Sequence, residues 1–267
     1  MNDPVWAQLY AEAQAAAAKE PVLTGLLVDN ILTRETLEAA LAYRISRKLG
    51  HDALSEPFLH DLFEEVLAAD ASIGRAVRLD IVAITERDPA AQSYLSPVLY
   101  YKGFQALTAY RIAHHLWNGD RQALARYLQS SISQVFGVDI HPAARIGGGI
   151  LLDHATGIVI GETALVEDHV SMLHEVTLGG TGKQRGDRHP KVRRGVLIGA
   201  GAKLLGNIEI GECAKIGAGS VVLDDVPAHT TVVGVPARVV GEAPEDPAGC
   251  MEHALRRYAA AAQDPTS

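Results

Sequence analysis

The chain has 267 residues, of which 48% are hydrophobic and 21% charged, a composition typical of a folded protein and not of a disordered polyelectrolyte. Its formal net charge of -8 gives no electrostatic reason to bind nucleic acid or an anionic membrane surface. Cys213 and Cys250 form neither a CxxC pair nor a disulfide framework, and residues 1–10 carry no basic segment followed by an apolar one. We therefore expect a cytoplasmic protein that binds neither nucleic acid nor membrane.

Up to about Phe136, apolar residues recur at helical spacing and predict a bundle of helices. Asp3, which precedes a proline, is typical of the start of a helix. Thr33 and Ser72 are predicted to begin two further helices, because each precedes an apolar stripe. The second of these should end near Asp88, since the residue before a proline avoids the helical region.

From Val138 the apolar spacing changes to six residues, which fits neither a helix nor an isolated strand. One series comprises Ile140, Ile146, Leu152, Ile158, Ala164, Val170 and Val176, and a companion series comprises Ile160, Val166, Met172 and Leu178. Both series resume after an interruption, at Val196 and Ile198. The repeat predicts a parallel β-helix whose short strands stack their aliphatic side chains in a common interior.

The repeat is interrupted between Leu178 and Ile198, where twenty residues replace six. About fourteen residues, essentially 179–191, are therefore predicted to form an extruded loop, and long loops in compact folds are often functional. The repeat ends near Gly241. The predicted units are a helical domain at 1–137, a β-helix at 138–240 and a C-terminal tail at 241–267.

Two motifs suggest chemistry that their context does not support. The segment GGTGK departs from a phosphate-binding P-loop, because Thr177 replaces the first glycine and Gln184 replaces the final serine or threonine. His169 and His174 have a spacing that some zinc enzymes use, but a third ligand at a suitable distance is missing. No metal site is predicted.

An acid–base pair is the stronger candidate. Two carboxylates precede His154 in the sequence, Asp139 and Asp153, and either could fix its tautomer and stabilise the imidazolium that forms on proton abstraction. In the predicted loop, Arg188 and His189 combine a guanidinium with an imidazole, which suits them to bind a small carboxylate.

Five stretches together resemble the serine O-acetyltransferase family. They are DIHPAARIG at 139–147, LDHATGIVIGET at 152–163, VTLGGTGK at 176–183, DRHPKVR at 187–193 and GVPARVVG at 234–241. The resemblance covers the whole chain and implies an α+β fold, in which an α-helical domain precedes a left-handed parallel β-helix, assembled as a trimer or a dimer of trimers. It implies transfer of the acetyl group of acetyl-CoA to L-serine, the first step of cysteine biosynthesis. It also implies inhibition by L-cysteine and no permanently bound cofactor.

Matched position by position, the resemblance assigns His154 as general base and Asp139 as its partner. It assigns Asp88 and Asp153 to serine, Arg188 and His189 to the substrate carboxylate, and Gly180, Thr181, Ala200 and Lys215 to acetyl-CoA. Relatives that bind O-acetylserine sulfhydrylase end in isoleucine, whereas this chain ends in QDPTS at 263–267, which argues against that complex. The alternative is a sugar or other small-alcohol O-acetyltransferase of the same fold, which should lack Asp88, Arg188 and His189.

Overall fold

A computed structural model describes residues 3–51, 53–182 and 185–253, and it confirms a helical region followed by a parallel β-helix. The helices are α1 (Pro4–Lys19), α2 (Thr24–Leu27), α3 (Leu37–Leu49), α4 (Glu56–Ala69), α5 (Ala71–Arg87), α6 (Leu95–Tyr100), α7 (Lys102–Asn118), α8 (Gln122–Phe136) and α9 (Pro247–Cys250), with a 3₁₀ turn at Pro21–Leu23 and a π-helical turn at Val28–Leu32. Within the described ranges, none of the helices combines the length and apolarity needed to cross a membrane.

The strands are short, as a coil with sharp corners requires. They are β1 (Val138–Ile140), β2 (Arg145–Ile146), β3 (Leu151–Leu152), β4 (Ile158–Ile160), β5 (Leu165–Val166), β6 (Ser171–Met172), β7 (Thr177–Gly179), β8 (Lys191–Val192), β9 (Leu197–Ile198), β10 (Lys203–Leu205), β11 (Glu209–Ile210), β12 (Lys215–Ile216), β13 (Val221–Val222), β14 (Thr230–Gly234) and β15 (Ala237–Glu242). The coil therefore begins two residues after α8 ends at Phe136.

Of the three predicted helix starts, one is correct and two lie within three residues of the observed cap. Asp3 accepts hydrogen bonds from two backbone N–H groups at the start of α1, as predicted. Thr36, not Thr33, caps α3, and Asp70, not Ser72, caps α5. The physical reason is that any nearby Ser, Thr or Asp can supply a capping oxygen, so the apolar stripe alone does not choose between them.

Three flat parallel sheets form the faces of the β-helix. Their strand orders are β1-β4-β7-β10-β13, β2-β5-β8-β11 and β3-β6-β9-β12-β14-β15, with only the last pair antiparallel among the described strands. The side chains of Ile160, Val166 and Met172, one from each face of a single coil, are at most 1% exposed. Stacking such side chains over successive coils makes a continuous apolar core.

The first coil is two residues longer than the predicted repeat. Ile140 aligns with Ile160, twenty residues later, whereas Ile160 aligns with Leu178, eighteen residues later. The predicted step of six from Leu152 to Ile158 is therefore wrong. Ile158 aligns with Val138, and it is Ile160 that aligns with Ile140. The extra residues lie at the corner between β3 and β4.

The extruded loop is shorter than predicted. Val192 lies in β8 and aligns with Val166, so the chain has already returned to the coil at that point. Fourteen residues separate Leu178 from Val192, against six from Ile160 to Val166, so the insertion adds eight residues and not fourteen. The error arose because a complete β-helix face, that of β8, was counted as loop.

A buried ion pair joins the helical region to the first coil. Asp80 of α5 and Arg111 of α7 pair at 2.8 Å with side chains only 1% and 7% exposed. The second oxygen of Asp80 accepts from the N–H of Ile150, and Arg111 donates to the carbonyls of Ile146 and Gly147. Burial raises the pKa of Asp80, and the adjacent Arg111 opposes that rise. Both charges are therefore desolvated, and each depends on the other.

Replacing Arg111 by methionine leaves the Asp80 carboxylate buried without its cation, so the free energy of unfolding should fall by about 3–5 kcal/mol. Denaturant unfolding at fixed protein concentration measures the change. The control is Arg238→Met, because the Arg238–Asp224 pair is 3.9 Å long and its side chains are 69% and 85% exposed. That substitution should change stability by no more than about 0.5 kcal/mol, and equal effects of the two would contradict the role given to the buried pair.

Candidate active site

The two departures from the six-residue step hold six of the ten predicted site residues. From Ile140 to Val222, within the described coil, every other step between equivalent core positions is six. The two-residue insertion holds His154, and the eight-residue insertion holds Arg188 and His189. Insertions at corners place side chains outside the aliphatic stack: His154 is exposed, whereas Arg188 and His189 pack against the neighbouring turn.

The first corner presents His154 on a strained turn. His154 and Ala155 both have left-handed backbone conformations, with φ of 57° and 59°. Non-glycine residues rarely adopt this conformation, and it is commonly found at functional sites. The His154 side chain is 73% exposed, its Nε2 lies 3.7 Å from a carboxylate oxygen of Asp153, and its ring centroid lies 5.8 Å from that of His174.

A tyrosine at the junction of α6 and α7 links two of the predicted serine-binding carboxylates. Burial raises the pKa of Tyr101. The nearby carboxylates of Asp88 and Asp153 raise this pKa further, and Asp88 also accepts a hydrogen bond from the Tyr101 hydroxyl. Asp88 follows the last residue of α5, as the sequence predicted. Tyr101 thus brings Asp88 of the helical region into one group with Asp153 and His154.

The next two residues of α7 support the same corner. Lys102 donates a hydrogen bond to the hydroxyl of Thr156. Gly103 packs so closely that a Cβ there would overlap the carbonyl oxygen of Leu152 and the methyl group of Ala155. The sequence offered no signal for Tyr101, Lys102 or Gly103, because their partners belong to a separate predicted unit.

Asp139 lies on the flat face of β1 and aligns with Val159 of β4. Its Oδ1 accepts a hydrogen bond of 2.7 Å from the amide of Gln129 in α8. Of the two carboxylates that the residues left open, Asp153 is the one paired with His154 in a single chain. The assignment of Asp139 as partner of His154 stays a prediction.

The second corner holds Arg188 and His189 against the turn that follows β4. Arg188 Nη2 lies 2.6 Å from Glu162, and the hydrogen bond from Arg188 lowers the pKa of that carboxyl. His189 is buried, with Nδ1 lying 3.1 Å from the backbone N and 2.8 Å from the hydroxyl of Thr163. Burial lowers the pKa of His189, and the adjacent Arg188 lowers it further. Glu162 and Thr163 belong to a matched motif, but the sequence assigned them no role.

The residues predicted to bind acetyl-CoA lie on different faces. Gly180 and Thr181 follow β7 at the start of the eight-residue insertion, and Ala200 follows β9. Lys215 of β12 is only 3% exposed. Burial lowers the pKa of His253, and the charge of Lys215 lowers it further, so His253 lies near this lysine.

The two corners lie on different edges of the same three-sided coil. His154 lies where the chain passes from the six-stranded to the five-stranded sheet, whereas Arg188 and His189 lie where it passes from the five-stranded to the four-stranded sheet. A whole sheet face separates them. One copy of the chain therefore does not place both groups around one small substrate.

The histidines considered for zinc have other surroundings. His169 Nδ1 lies 3.4 Å from Arg87, and His174 Nδ1 is buried without a hydrogen-bond partner. Across 3–51, 53–182 and 185–253, no three His, Cys, Asp or Glu side chains lie close enough to hold a metal ion.

Comparison with known proteins gives the family. Residues 5–109 match the model described as "Serine acetyltransferase, N-terminal", and residues 189–224 match "Bacterial transferase hexapeptide (six repeats)". Serine acetyltransferase of Salmonella typhimurium is 56% identical over 91% of this chain and 89% of its own. A serine acetyltransferase structure with coenzyme A from Brucella abortus is 53% identical with a TM-score of 0.89, covering 91% of this chain and 97% of its own. A serine acetyltransferase in complex with cysteine is 50% identical with a TM-score of 0.94, covering 96% and 100%.

The helical region and the hexapeptide coil together are the architecture of an acyltransferase. The chain belongs to the serine acetyltransferase family. These relatives are named for serine as acceptor, which favours serine over the sugar acceptor kept as the alternative.

Replacing Gly161 by alanine should disturb the second corner, because the added Cβ would overlap Cδ2 and Nε2 of the His189 ring. Overpacking of this kind typically costs about 1–3 kcal/mol of unfolding free energy, measured in denaturant. Gly25→Ala is the control, since a Cβ there meets nothing within 4 Å. A Gly161→Ala protein as stable as the parent would contradict the close packing of ring and glycine.

Proposed function

We propose that this protein transfers the acetyl group of acetyl-CoA to the hydroxyl of L-serine, which yields O-acetyl-L-serine and CoA and begins cysteine biosynthesis in the cytoplasm. The observation that carries the proposal is that both insertions in an otherwise regular coil hold residues suited to an amino-acid substrate. Membership of the serine acetyltransferase family supports the acceptor, and the coenzyme A complex of a relative supports the donor.

His154 is the proposed general base. Its imidazole takes the proton from the serine hydroxyl as that oxygen attacks the thioester carbonyl. The C–S bond then breaks, and the same proton passes to the CoA sulfur, so the imidazole is regenerated. A carboxylate beside the ring stabilises the imidazolium between these steps, and Asp139 is the proposed partner. The exposure of the ring supports this role, because a base must reach the substrate.

Four side chains are proposed to hold serine. Asp88 and Asp153 pair with its ammonium group, and Tyr101 supports this pairing by keeping the two carboxylates together. Arg188 and His189 bind the serine carboxylate through charge-assisted hydrogen bonds. L-cysteine carries the same ammonium and carboxylate groups, so it is the proposed inhibitor, and a relative's complex with cysteine supports this.

Acetyl-CoA is proposed to lie along the coil edges beside Gly180, Thr181 and Ala200, where small side chains allow close approach. Lys215 is the residue proposed to pair with a CoA phosphate. Acetyl-CoA is a substrate here, and no permanently bound cofactor is proposed. Holding serine and acetyl-CoA together in one complex supplies much of the rate enhancement.

The complete site requires at least two copies of the chain. The separation of the two corners supports an arrangement in which His154 of one copy faces Arg188 and His189 of the next. Contacts of this head-to-tail kind close into a ring when the rotation is suitable, and the resemblance to the family makes a trimer the ring that we propose. A trimer, or two trimers joined, is therefore the proposed assembly.

His154→Ala should lower kcat about 10²–10⁴-fold, because it removes the proton acceptor. Release of CoA thiol from acetyl-CoA and L-serine measures it, with D-serine as the acceptor control. His229→Ala is the matched control, since His229 also has a left-handed backbone, with φ of 56°, but lies outside the proposed site. A His154→Ala enzyme as fast as the parent would refute the assignment.

Mixing two inactive proteins tests the shared site. His154→Ala and Arg188→Ala copies, unfolded together and refolded in equal amounts, should regain about a quarter of parental activity, because each mixed trimer contains one interface with both groups intact. Each variant refolded alone is the control. Activity that stays at the level of the separate variants would show that each site lies within one copy.

A further inference from the structure

Thr163 has an unusual set of contacts with the pair Arg188 and His189. Its hydroxyl oxygen lies 3.0 Å from the backbone N of Arg188 and 3.2 Å from that of His189, and both N–H groups donate to it. The same oxygen lies 2.8 Å from Nδ1 of the His189 ring, and the backbone N–H of Thr163 donates to that ring nitrogen at 3.1 Å. Thr163 thus makes four hydrogen-bonding contacts with Arg188 and His189.

The direction of each hydrogen bond follows from the number of donors and acceptors. A hydroxyl has one hydrogen and two lone pairs. The two backbone N–H groups of the loop donate to the Thr163 oxygen, and its single hydrogen has two acceptors nearby, His189 Nδ1 at 2.8 Å and the carboxylate of Asp187. The backbone N–H of Thr163 donates to Nδ1 in either case, so Nδ1 carries no proton and the proton of the neutral ring is on Nε2.

The neighbours of Thr163 complete the cradle. Glu162 holds the Arg188 guanidinium at 2.6 Å, and Gly161 lies directly beneath the His189 ring. Burial, together with the charge of Arg188, lowers the pKa of His189, so the ring is neutral at neutral pH. The tautomer, and not the charge, then decides which ring nitrogen can donate.

We propose that Thr163 is a positioning residue for substrate recognition: it holds His189 as the Nε2–H tautomer, so that Nε2–H donates to the carboxylate of the amino-acid substrate. This inference rests on the proposed function, which assigns His189 to that carboxylate. Without the Thr163 hydroxyl, the ring loses its 2.8 Å contact at Nδ1, and the backbone N–H groups of Arg188 and His189 lose their acceptor.

The decisive comparison is Thr163→Val with Thr163→Ser. Valine keeps the shape and the backbone N–H but removes the hydroxyl, whereas serine keeps the hydroxyl. Thr108→Val is the control for loss of a buried threonine hydroxyl elsewhere, since the Thr108 hydroxyl donates to the carbonyl of Phe104 within its own helix. His189→Gln is measured beside them, with KM for L-serine, KM for acetyl-CoA, kcat and melting temperature determined for each.

Thr163→Val should raise KM for L-serine about tenfold, the effect of losing roughly one hydrogen bond to the recognition group, with KM for acetyl-CoA unchanged. Thr163→Ser should restore the serine KM, and Thr108→Val should alter melting temperature alone. A purely structural role for Thr163 predicts lower melting temperature and less active enzyme with a parental serine KM, which would overturn the inference.

Nitrogen-15 NMR of the histidine rings tests the tautomer in the parent protein, with the His189 signals identified by their loss in His189→Gln. The expected result is an unprotonated Nδ1 and a protonated Nε2, and a protonated Nδ1 would overturn the inference. If His189→Gln raises KM for serine but Thr163→Val does not, the inference fails while the proposed function stands. If His189→Gln leaves KM for serine unchanged, the assignment of His189 in the proposed function fails, and the inference fails with it.

Discussion

The buried pair of Asp80 and Arg111 is the interaction on which the arrangement of the molecule depends. It ties two helices to each other and, through the carbonyls and the N–H that its atoms bind, to the first turn of the coil. The two helices that it joins also carry Asp88, which follows α5, and Tyr101, which precedes α7, towards the corner that holds His154. The ion pair lies outside the proposed site and supports it by fixing both helices to the coil.

Much of the fold was predictable from the sequence because burial acts at a fixed period. A six-residue spacing has only one common physical solution, and the register of the sheets follows from it. The first insertion escaped notice for an arithmetic reason. The two core positions of each strand are two residues apart, so an insertion of two moves Ile158 onto the position expected for the other series. The six-residue apolar spacing therefore continues in the sequence across a corner where the coil itself is two residues longer.

The resemblance to a family assigned the predicted site residues, but it did not identify the side chains that hold them in place. In the sequence, two helices and three strands separate Tyr101 from Asp153, and three strands and the loop separate Thr163 from His189. Nothing in the local sequence identifies such partners, because a threonine after a turn reads as an ordinary turn residue. Hydrogen-bond directions emerge only when the coils are stacked.

The two insertions differ in what their surroundings allow. The strands on either side of the loop keep their register, Val166 opposite Val192, as if the eight additional residues were absent. The loop can therefore change in length without disturbing the flanking strands, as long as Gly161 and Thr163 still fit His189. The corner of His154 is constrained from outside the coil, because Gly103 of the helical region packs against it. A substitution in α7 therefore reaches that corner directly, whereas the second corner is fitted by the coil itself.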